Sequence, residues 1–180
     1  MDQQEIDRRA MEHEYQKELA QGDLTLFETF LWWVARTSPK GIRIIWNTEQ
    51  TDPYLLRIYL FRSKTAGLYL HRFFRSDGDR DVHNHPWRKA LSLILTKGYR
   101  EYRWNPLLRF MEQVDVRPWT FNRIGRDDFH RVELVRGRCW TLFLSHGRVQ
   151  AKDGHDWGFL DTNDGGYTPW GEYVGELVVA

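Results

Sequence analysis

The stretch DVHNHPWRKALSLILTKGYREYRW, residues 81–104, contains the features on which the fold assignment depends. Apolar and polar residues alternate over 90–96 and again over 99–104, and Lys97-Gly98 separates the two runs. Alternation with period two is typical of a strand, and a glycine-containing break between two such runs is typical of a turn. The stretch is therefore predicted to contain two strands joined by a turn, preceded by a short extended segment over 81–85.

The same pattern extends in both directions along the chain. Further short strands are predicted over 42–46, 55–61, 67–73, 107–114, 129–134 and 139–145, with turn-forming residues between them. Many short strands separated by such turns indicate a sandwich or barrel, and a double-sheet jelly roll is a standard way to assemble them. The fold class is therefore predicted to be mainly β, with 41–180 forming the barrel.

Residues 1–40 are predicted to form a helical extension packed on this barrel. Over 3–20 a thin apolar stripe runs from Ile6 to Leu19 among charged residues, which predicts a helix on the surface. Thr25 is followed three residues later by Glu28, the spacing of a capping box, and an aromatic-rich run continues to Pro39. This second helix is predicted to be buried on one side. The tail over 161–173 is predicted to be an ordered loop.

Composition excludes several classes of protein. A length of 180 residues allows one domain, and no apolar run approaches the roughly 20 residues that cross a bilayer. No secretory signal is recognised at the N-terminus, and Cys139 is the only cysteine, so a disulfide framework is excluded and a reducing cytoplasm is expected. With 26 basic and 25 acidic residues the net charge is +1, which argues against a nucleic-acid-binding role.

His83 and His85 are the first candidates for chemistry. Alternate residues of an extended chain point to one face, so the two imidazoles can lie side by side and bind one metal ion. Pro86 removes a backbone donor and is expected to end the strand, which leaves the pair at the rim of a sheet. An H-x-H pair is weak evidence by itself, so a third ligand is needed.

His130 is the best third ligand. Residues 129–134 alternate and place His130 on the face that carries Val132 and Leu134, which is expected to point into the core. A buried histidine needs partners for its ring nitrogens. Alone it would more often be a core histidine bound by hydrogen bonds, but the upstream H-x-H pair favours a metal ligand.

This arrangement resembles the cupin superfamily of small jelly-roll barrels, whose first motif is H-x-H followed by Glu and then Gly, and whose second motif supplies a third His after a Gly turn. His83, His85 and Gly98 match the first motif, Gly125 and His130 match the second, and residues 55–159 have the length of such a barrel. The string HNHPW at 83–87 also resembles a group of uncharacterised bacterial and phage cupin-like proteins, for which no reaction is implied.

The usual motif glutamate is missing, because positions 89–91 are Lys, Ala and Leu. One alternative is a site of three histidines, as in the cupin thiol dioxygenases. The other is that Glu101 supplies the fourth ligand from the next strand. Tyr99, Glu101 and Arg103 share one face of that strand, but the face with Tyr102 and Trp104 is predicted to be the inward one on grounds of burial.

Three neutral imidazoles leave a divalent ion with its full charge and with open coordination sites, which suits an anionic substrate or activated oxygen. The ligand set would accept Zn(II), Ni(II), Cu(II) or Mn(II), and the resemblance favours Fe(II). The predicted function is metal-dependent oxidation, by a dioxygenase-type cupin, of a small anionic molecule. The alternatives are a non-redox isomerase or lyase, and a ligand-binding or regulatory module without catalysis.

Three further residues are candidates for binding the substrate. His71 can line the pocket or act as acid or base, although a structural hydrogen bond is also expected for it. Arg123 can clamp a carboxylate near His130 or be an exposed strand arginine, and Tyr99 shares a face with Glu101. Cys139 is predicted to be a core thiol, and a homodimer through an edge strand or a terminal segment is a reasonable expectation.

Overall fold

Two six-stranded antiparallel sheets make up most of the computed structural model, which describes residues 2–47, 51–77, 81–148 and 157–173. In chain order the strands are β1 Ile42–Trp46, β2 Pro53–Arg62, β3 Ala66–Phe73, β4 Val82–His83, β5 Trp87–Ile94, β6 Tyr99–Asn105, β7 Phe110–Val116, β8 Phe121–Gly125, β9 His130–Glu133, β10 Cys139–Arg148, β11 Gly158–Leu160 and β12 Tyr167–Pro169. The first sheet has the order β1-β2-β3-β10-β5-β8, and the second has the order β12-β11-β4-β9-β6-β7.

Some neighbours within each sheet come from distant parts of the chain. β10 lies between β3 and β5 in the first sheet, and β4 lies between β9 and β11 in the second. Successive strands such as β3, β4 and β5 pass from one sheet to the other, as in a double-sheet jelly roll. The prediction of a mainly β jelly roll with two N-terminal helices is confirmed.

Three helices accompany the sheets: α1 Gln3–Gln21, α2 Leu26–Thr37 and the short α3 Trp170–Tyr173. The predicted capping box is present, because Thr25 Oγ1 accepts from the backbone N–H of Glu28 while the Glu28 carboxylate accepts from that of Thr25. α1 and α2 pack on the outer face of the first sheet, where Trp32 meets Trp140 edge to face. No helix in the described residues is long and apolar enough to cross a membrane.

The buried face of α1 differs from the predicted surface helix. Its buried residues are Asp7, Met11, Glu14 and Glu18, which recur at helical spacing but are mostly acidic. Glu18 accepts a hydrogen bond from Trp32 Nε1 and forms a buried ion pair with Arg72. The helix is therefore fixed to the first sheet partly by polar contacts, which an apolar-stripe pattern does not detect.

Several strand bounds also differ from the predictions. β7 begins at Phe110 rather than at 107, because Asn105 Oδ1 accepts from the N–H groups of Leu107 and Leu108 and holds them in a turn. β8 was not predicted, since its inward residues are Asn122 and Ile124 and do not form an apolar alternation. The tail predicted as a loop contains β12 and α3. Residues 174–180 of the predicted barrel lie outside the described part of the chain.

Cys139 is fully buried in the core between the sheets, as predicted. Its thiol donates to the carbonyl of Thr96, and burial raises the pKa of the Cys139 thiol to about 12. A thiol held in this way is protonated at neutral pH and is a poor nucleophile.

Candidate metal centre

Three histidines converge in the second sheet. His83 on β4 is paired in register with His130 on β9, and His85 follows β4 by two residues. Each pair of rings has a centroid separation of 5.1 Å, and the nitrogens available as ligands lie within 4.8 Å of one another. The structure thus brings together the three residues predicted from the H-x-H pair and from the second motif.

The segment around Asn84 explains how His85 reaches the group although β4 is only two residues long. The backbone N–H of Asn84 donates to the carbonyl of Gly158, and the N–H of Gly158 donates to Asn84 Oδ1. These bonds tie the segment to β11, and Pro86 ends the extended run before β5 begins at Trp87. Both histidines are therefore held at a strand end.

His130 is oriented by a carboxylate behind it. Its Nδ1 is hydrogen-bonded to Glu101 Oε1, while its Nε2 lies 2.8 Å from Nε2 of His85. The second oxygen of Glu101 accepts from Nε and Nη2 of Arg103, at 2.9 and 2.8 Å, and from Nδ2 of Asn122 at 3.0 Å. With a proton on Nδ1, the lone pair on Nε2 of His130 is directed toward the other histidines.

The position of Glu101 corrects the predicted orientation of β6. Tyr99 and Glu101 are almost fully buried, whereas Tyr102 and Trp104 are only partly buried, so the inward face is the one with Glu101. Burial of this carboxylate is tolerated because Arg103 and Asn122 satisfy it. Glu101 is one of the two predicted alternatives for the fourth ligand, but in this structure its oxygens face the ring of His130 and these two side chains.

The electrostatics keep two of the histidines neutral. Burial lowers the pKa of His83 to about 4, and burial together with the nearby His130 lowers the pKa of His85 well below its ordinary value. Burial opposes ionisation of Glu101, but the hydrogen bond from His130 and the charge of Arg103 outweigh it and lower the pKa of that carboxyl. Neutral imidazoles carry the lone pairs that a metal ion requires.

Aromatic side chains from the C-terminal segment pack against the histidines. Trp157 stacks on the ring of His85 with an interplanar angle of 21°, and Phe159 on β11 lies 5.6 Å from the ring of His83. Trp170 stacks on Trp157 at 4.0 Å. Sequence patterns do not predict these aromatic residues as part of the site, because only the pairing of β11 with β4 brings them to the histidines.

His71 lies on the inner face of the first sheet. It is 3% exposed, stacks on Phe143 at 5.0 Å, and accepts a hydrogen bond from Nε of Arg57 at 3.1 Å. Burial and then the charge of Arg57 lower the pKa of His71 well below its ordinary value. The predicted structural hydrogen bond is present, and its donor is Arg57, for which the sequence pattern predicts no role.

The other two substrate candidates lie elsewhere. Arg123 is exposed, because Asn122 and Ile124 occupy the inward positions of β8 and turn Arg123 to the outer face. The structure does not bring its side chain to the histidines. Tyr99 is buried in the core, where its hydroxyl accepts from Nδ2 of Asn122, and burial raises its pKa. Tyr99 therefore supports the residues behind His130.

The donor set fits a divalent metal ion. Metal–imidazole bonds of about 2.0–2.1 Å at right angles place two ligand nitrogens about 3 Å apart, close to the separation between His85 and His130. The carboxylate on Nδ1 of His130 is the partner that metal-binding histidines commonly have. Imidazole nitrogen accepts iron, zinc, nickel, copper and manganese, so the ligands do not name the ion.

No family model and no curated protein sequence matches the chain. Similar solved structures include hydroxypropylphosphonic acid epoxidase from S. wedmorenis, with 13% identity over 69% of this chain and 76% of that chain and a TM-score of 0.46. A cupin superfamily protein from Desulfitobacterium hafniense has 17% identity over 51% and 76%, with a TM-score of 0.41. KdgF from Halomonas sp. has 12% identity over 55% and 85%, with a TM-score of 0.44. Because these values are low, the fold assignment rests on the strand order of this chain.

Proposed function

We propose that the chain is a metal-dependent cupin that binds one divalent ion, Fe(II) in preference to the others, through His83, His85 and His130. Its proposed activity is oxidation of a small anionic molecule with dioxygen. The observation that supports the proposal is the convergence of three imidazoles, one of them held by a buried carboxylate. When bound, the ion would supply open coordination positions for substrate and oxygen.

The residues around the histidines have separate roles in this proposal. Glu101 keeps the Nδ1 proton of His130 in place, and Arg103 keeps Glu101 ionised. Trp157 and Phe159 limit the access of water to the histidines. The chain's own contribution is therefore to hold neutral ligands in a fixed geometry inside an aromatic wall.

The alternatives remain a non-redox isomerase or lyase, and a ligand-binding or regulatory module. Dependence of turnover on dioxygen separates the proposed activity from the first alternative. A small molecule that copurifies with the protein and is not converted would favour the second. A homodimer and a cytoplasmic location also remain proposals, as does the narrower likeness to bacterial and phage cupin-like proteins.

Metal analysis of the purified protein tests the site. We expect about one equivalent of metal after anaerobic reconstitution with Fe(II), and loss of that metal in His83→Ala and His130→Ala with an unchanged circular dichroism spectrum. His146→Ala is the matched control, because His146 is exposed on β10. Unchanged metal content in His83→Ala would refute the ligand assignment.

Oxygen consumption then tests the reaction. Small anions added to the Fe(II)-loaded protein are expected to stimulate oxygen uptake, and the His130→Ala variant is expected to show none. Metal-dependent turnover that proceeds equally well without dioxygen would replace oxidation with isomerase or lyase chemistry. Absence of metal after reconstitution would favour the ligand-binding module.

A further inference from the structure

We propose that Arg57 binds the carboxylate of the small molecule that occupies the barrel, from the sheet opposite the three histidines. The proposal assigns carboxylates as the ligand class. It rests on the proposed function in one respect, which is that the rest of the ligand is placed at the metal ion. The position of Arg57 follows from its neighbours on β2. Leu56 and Ile58 are buried against the helices on the outer face of the first sheet, so Arg57 points to the inner face.

The strands next to Arg57 provide no anion for it. In the register of the sheet, Arg57 is opposite Arg43 on β1 and opposite the neutral His71 on β3. Among the described residues, no carboxylate lies within ion-pair distance of the Arg57 guanidinium. A partly buried guanidinium without an acidic partner carries a desolvation cost that a bound anion would offset.

His71 fixes the direction of the guanidinium. Nε of Arg57 donates to Nε2 of His71, whose ring is held between Tyr69 and Phe143. Because Nε is used in this way and the ring of Tyr69 lies 5.2 Å from the guanidinium carbon, the terminal nitrogens, which also interact with the side chain of Tyr59, form the edge that is available to a ligand. A planar pair of N–H donors matches the two oxygens of a carboxylate.

Two hydroxyls on the same inner face lack partners. Thr141 is opposite His71 in the register of β10 and β3, and Ser145 lies four residues further along β10. Both are fully buried, and neither Oγ1 of Thr141 nor Oγ of Ser145 has a hydrogen-bond partner in the described residues. Buried hydroxyls without partners are expected to bind water or a polar ligand.

The two sheets bring this face close to the histidines. Packed sheets are about 10 Å apart, and side chains from both sides reach into that space. On this face the ring of Phe73 lies 6.3 Å from that of His71 and 6.2 Å from that of Tyr99 on β6 of the second sheet. A ligand that joins Arg57 to the histidines is therefore compact, with its carboxylate a few bonds from the atom nearest the metal.

Calorimetric titration with glycolate tests the proposal, with glycolamide as the neutral probe of the same shape. Glycolate is expected to bind the Fe(II)-loaded protein under anaerobic conditions, and glycolamide at least roughly tenfold more weakly. In Arg57→Gln the affinity for glycolate is expected to fall roughly tenfold or more, while metal content stays the same. Arg123→Gln removes the same charge from an exposed position and is expected to bind glycolate as the wild type does.

Arg57→Lys provides a second variant if Arg57→Gln does not fold. It keeps the positive charge but loses the planar pair of N–H donors and the Nε bond to His71. We expect this variant to bind glycolate more weakly than the wild type does. Equal affinity of the wild type and a folded Arg57 variant, or no binding of glycolate to the wild type, would overturn the proposal. If no metal binds, the proposed function fails separately, and titration of the metal-free protein still decides whether Arg57 binds the carboxylate.

Discussion

Glu101 and His130 are joined by a hydrogen bond on the side of the imidazole that faces away from His83 and His85. Glu101 is fully buried, and its second oxygen is held by Arg103 and Asn122. The carboxylate therefore controls the ring orientation and the proton position of His130 without being among the three converging ligands.

Glu101→Gln is expected to lower metal affinity by about 10- to 100-fold, because an amide is a weaker acceptor for the Nδ1 proton of His130. Competition with a chelator measures the affinity, and the ¹⁵N chemical shifts of the His130 ring report its tautomer. Glu112→Gln makes the same chemical change at an exposed position of β7 and is expected to have no effect. An unchanged affinity together with an unchanged tautomer in Glu101→Gln would contradict the positioning role.

Glu18→Ala is expected to destabilise the fold by about 3–5 kcal/mol, because it leaves the guanidinium of Arg72 buried without its carboxylate. Urea unfolding measures this difference. Glu5→Ala removes the exposed partner of Arg9 and is expected to cost less than about 1 kcal/mol. Equal costs for the two variants would show that the buried pair contributes no more than a surface pair.

The metal-free protein is expected to lose stability as the pH falls from about 6.5 to about 4. The folded pKa of His83, about 4, lies below its ordinary value of 6.5, so in this window the unfolded chain binds a proton that the folded chain does not. The loss from His83 alone amounts to at most about 3 kcal/mol. His71 and His85 act in the same direction.

Unfolding free energies measured at a series of pH values check this prediction. His71→Gln is expected to reduce the slope between pH 6.5 and 4, and His146→Gln, at an exposed position, is expected to leave it unchanged. Stability that does not change over this window would show that these histidines do not stay neutral in the folded protein.

Gly98→Ala is expected to destabilise the barrel more than Gly137→Ala does. Both glycines have a positive φ, of 75° and 76°, so alanine is strained by about 1–2 kcal/mol at either position. At Gly98 a Cβ would also lie 2.4 Å from the carbonyl oxygen of Val116, whereas at Gly137 it would meet nothing within 4 Å. Thermal unfolding of the two variants measures the difference, and equal shifts would argue against the close approach at Gly98.

The strands that the sequence predicted well are those with apolar residues at alternate positions. β1 matches its prediction at both ends, and β10 begins at Cys139 as expected. β8 was missed because Asn122 occupies an inward position, where it bonds to Glu101 and Tyr99. Apolar periodicity detects only inward faces that are apolar. The inward face of β8 contains a polar residue, whose hydrogen bonds come from side chains far away in the sequence.

The jelly-roll class, the capping box of α2 and the three histidines could be predicted from the sequence, because they depend on local periodicity and on short spacings. Only the folded arrangement of the strands establishes which face of β6 points inward, that Glu101 lies behind His130, that Arg123 points outward, and that Arg57 lies on the inner face of the first sheet. Each of these outcomes depends on contacts between strands far apart in the chain, whose energies local patterns do not contain. Trp157 likewise lies next to His85 only because β11 pairs with β4.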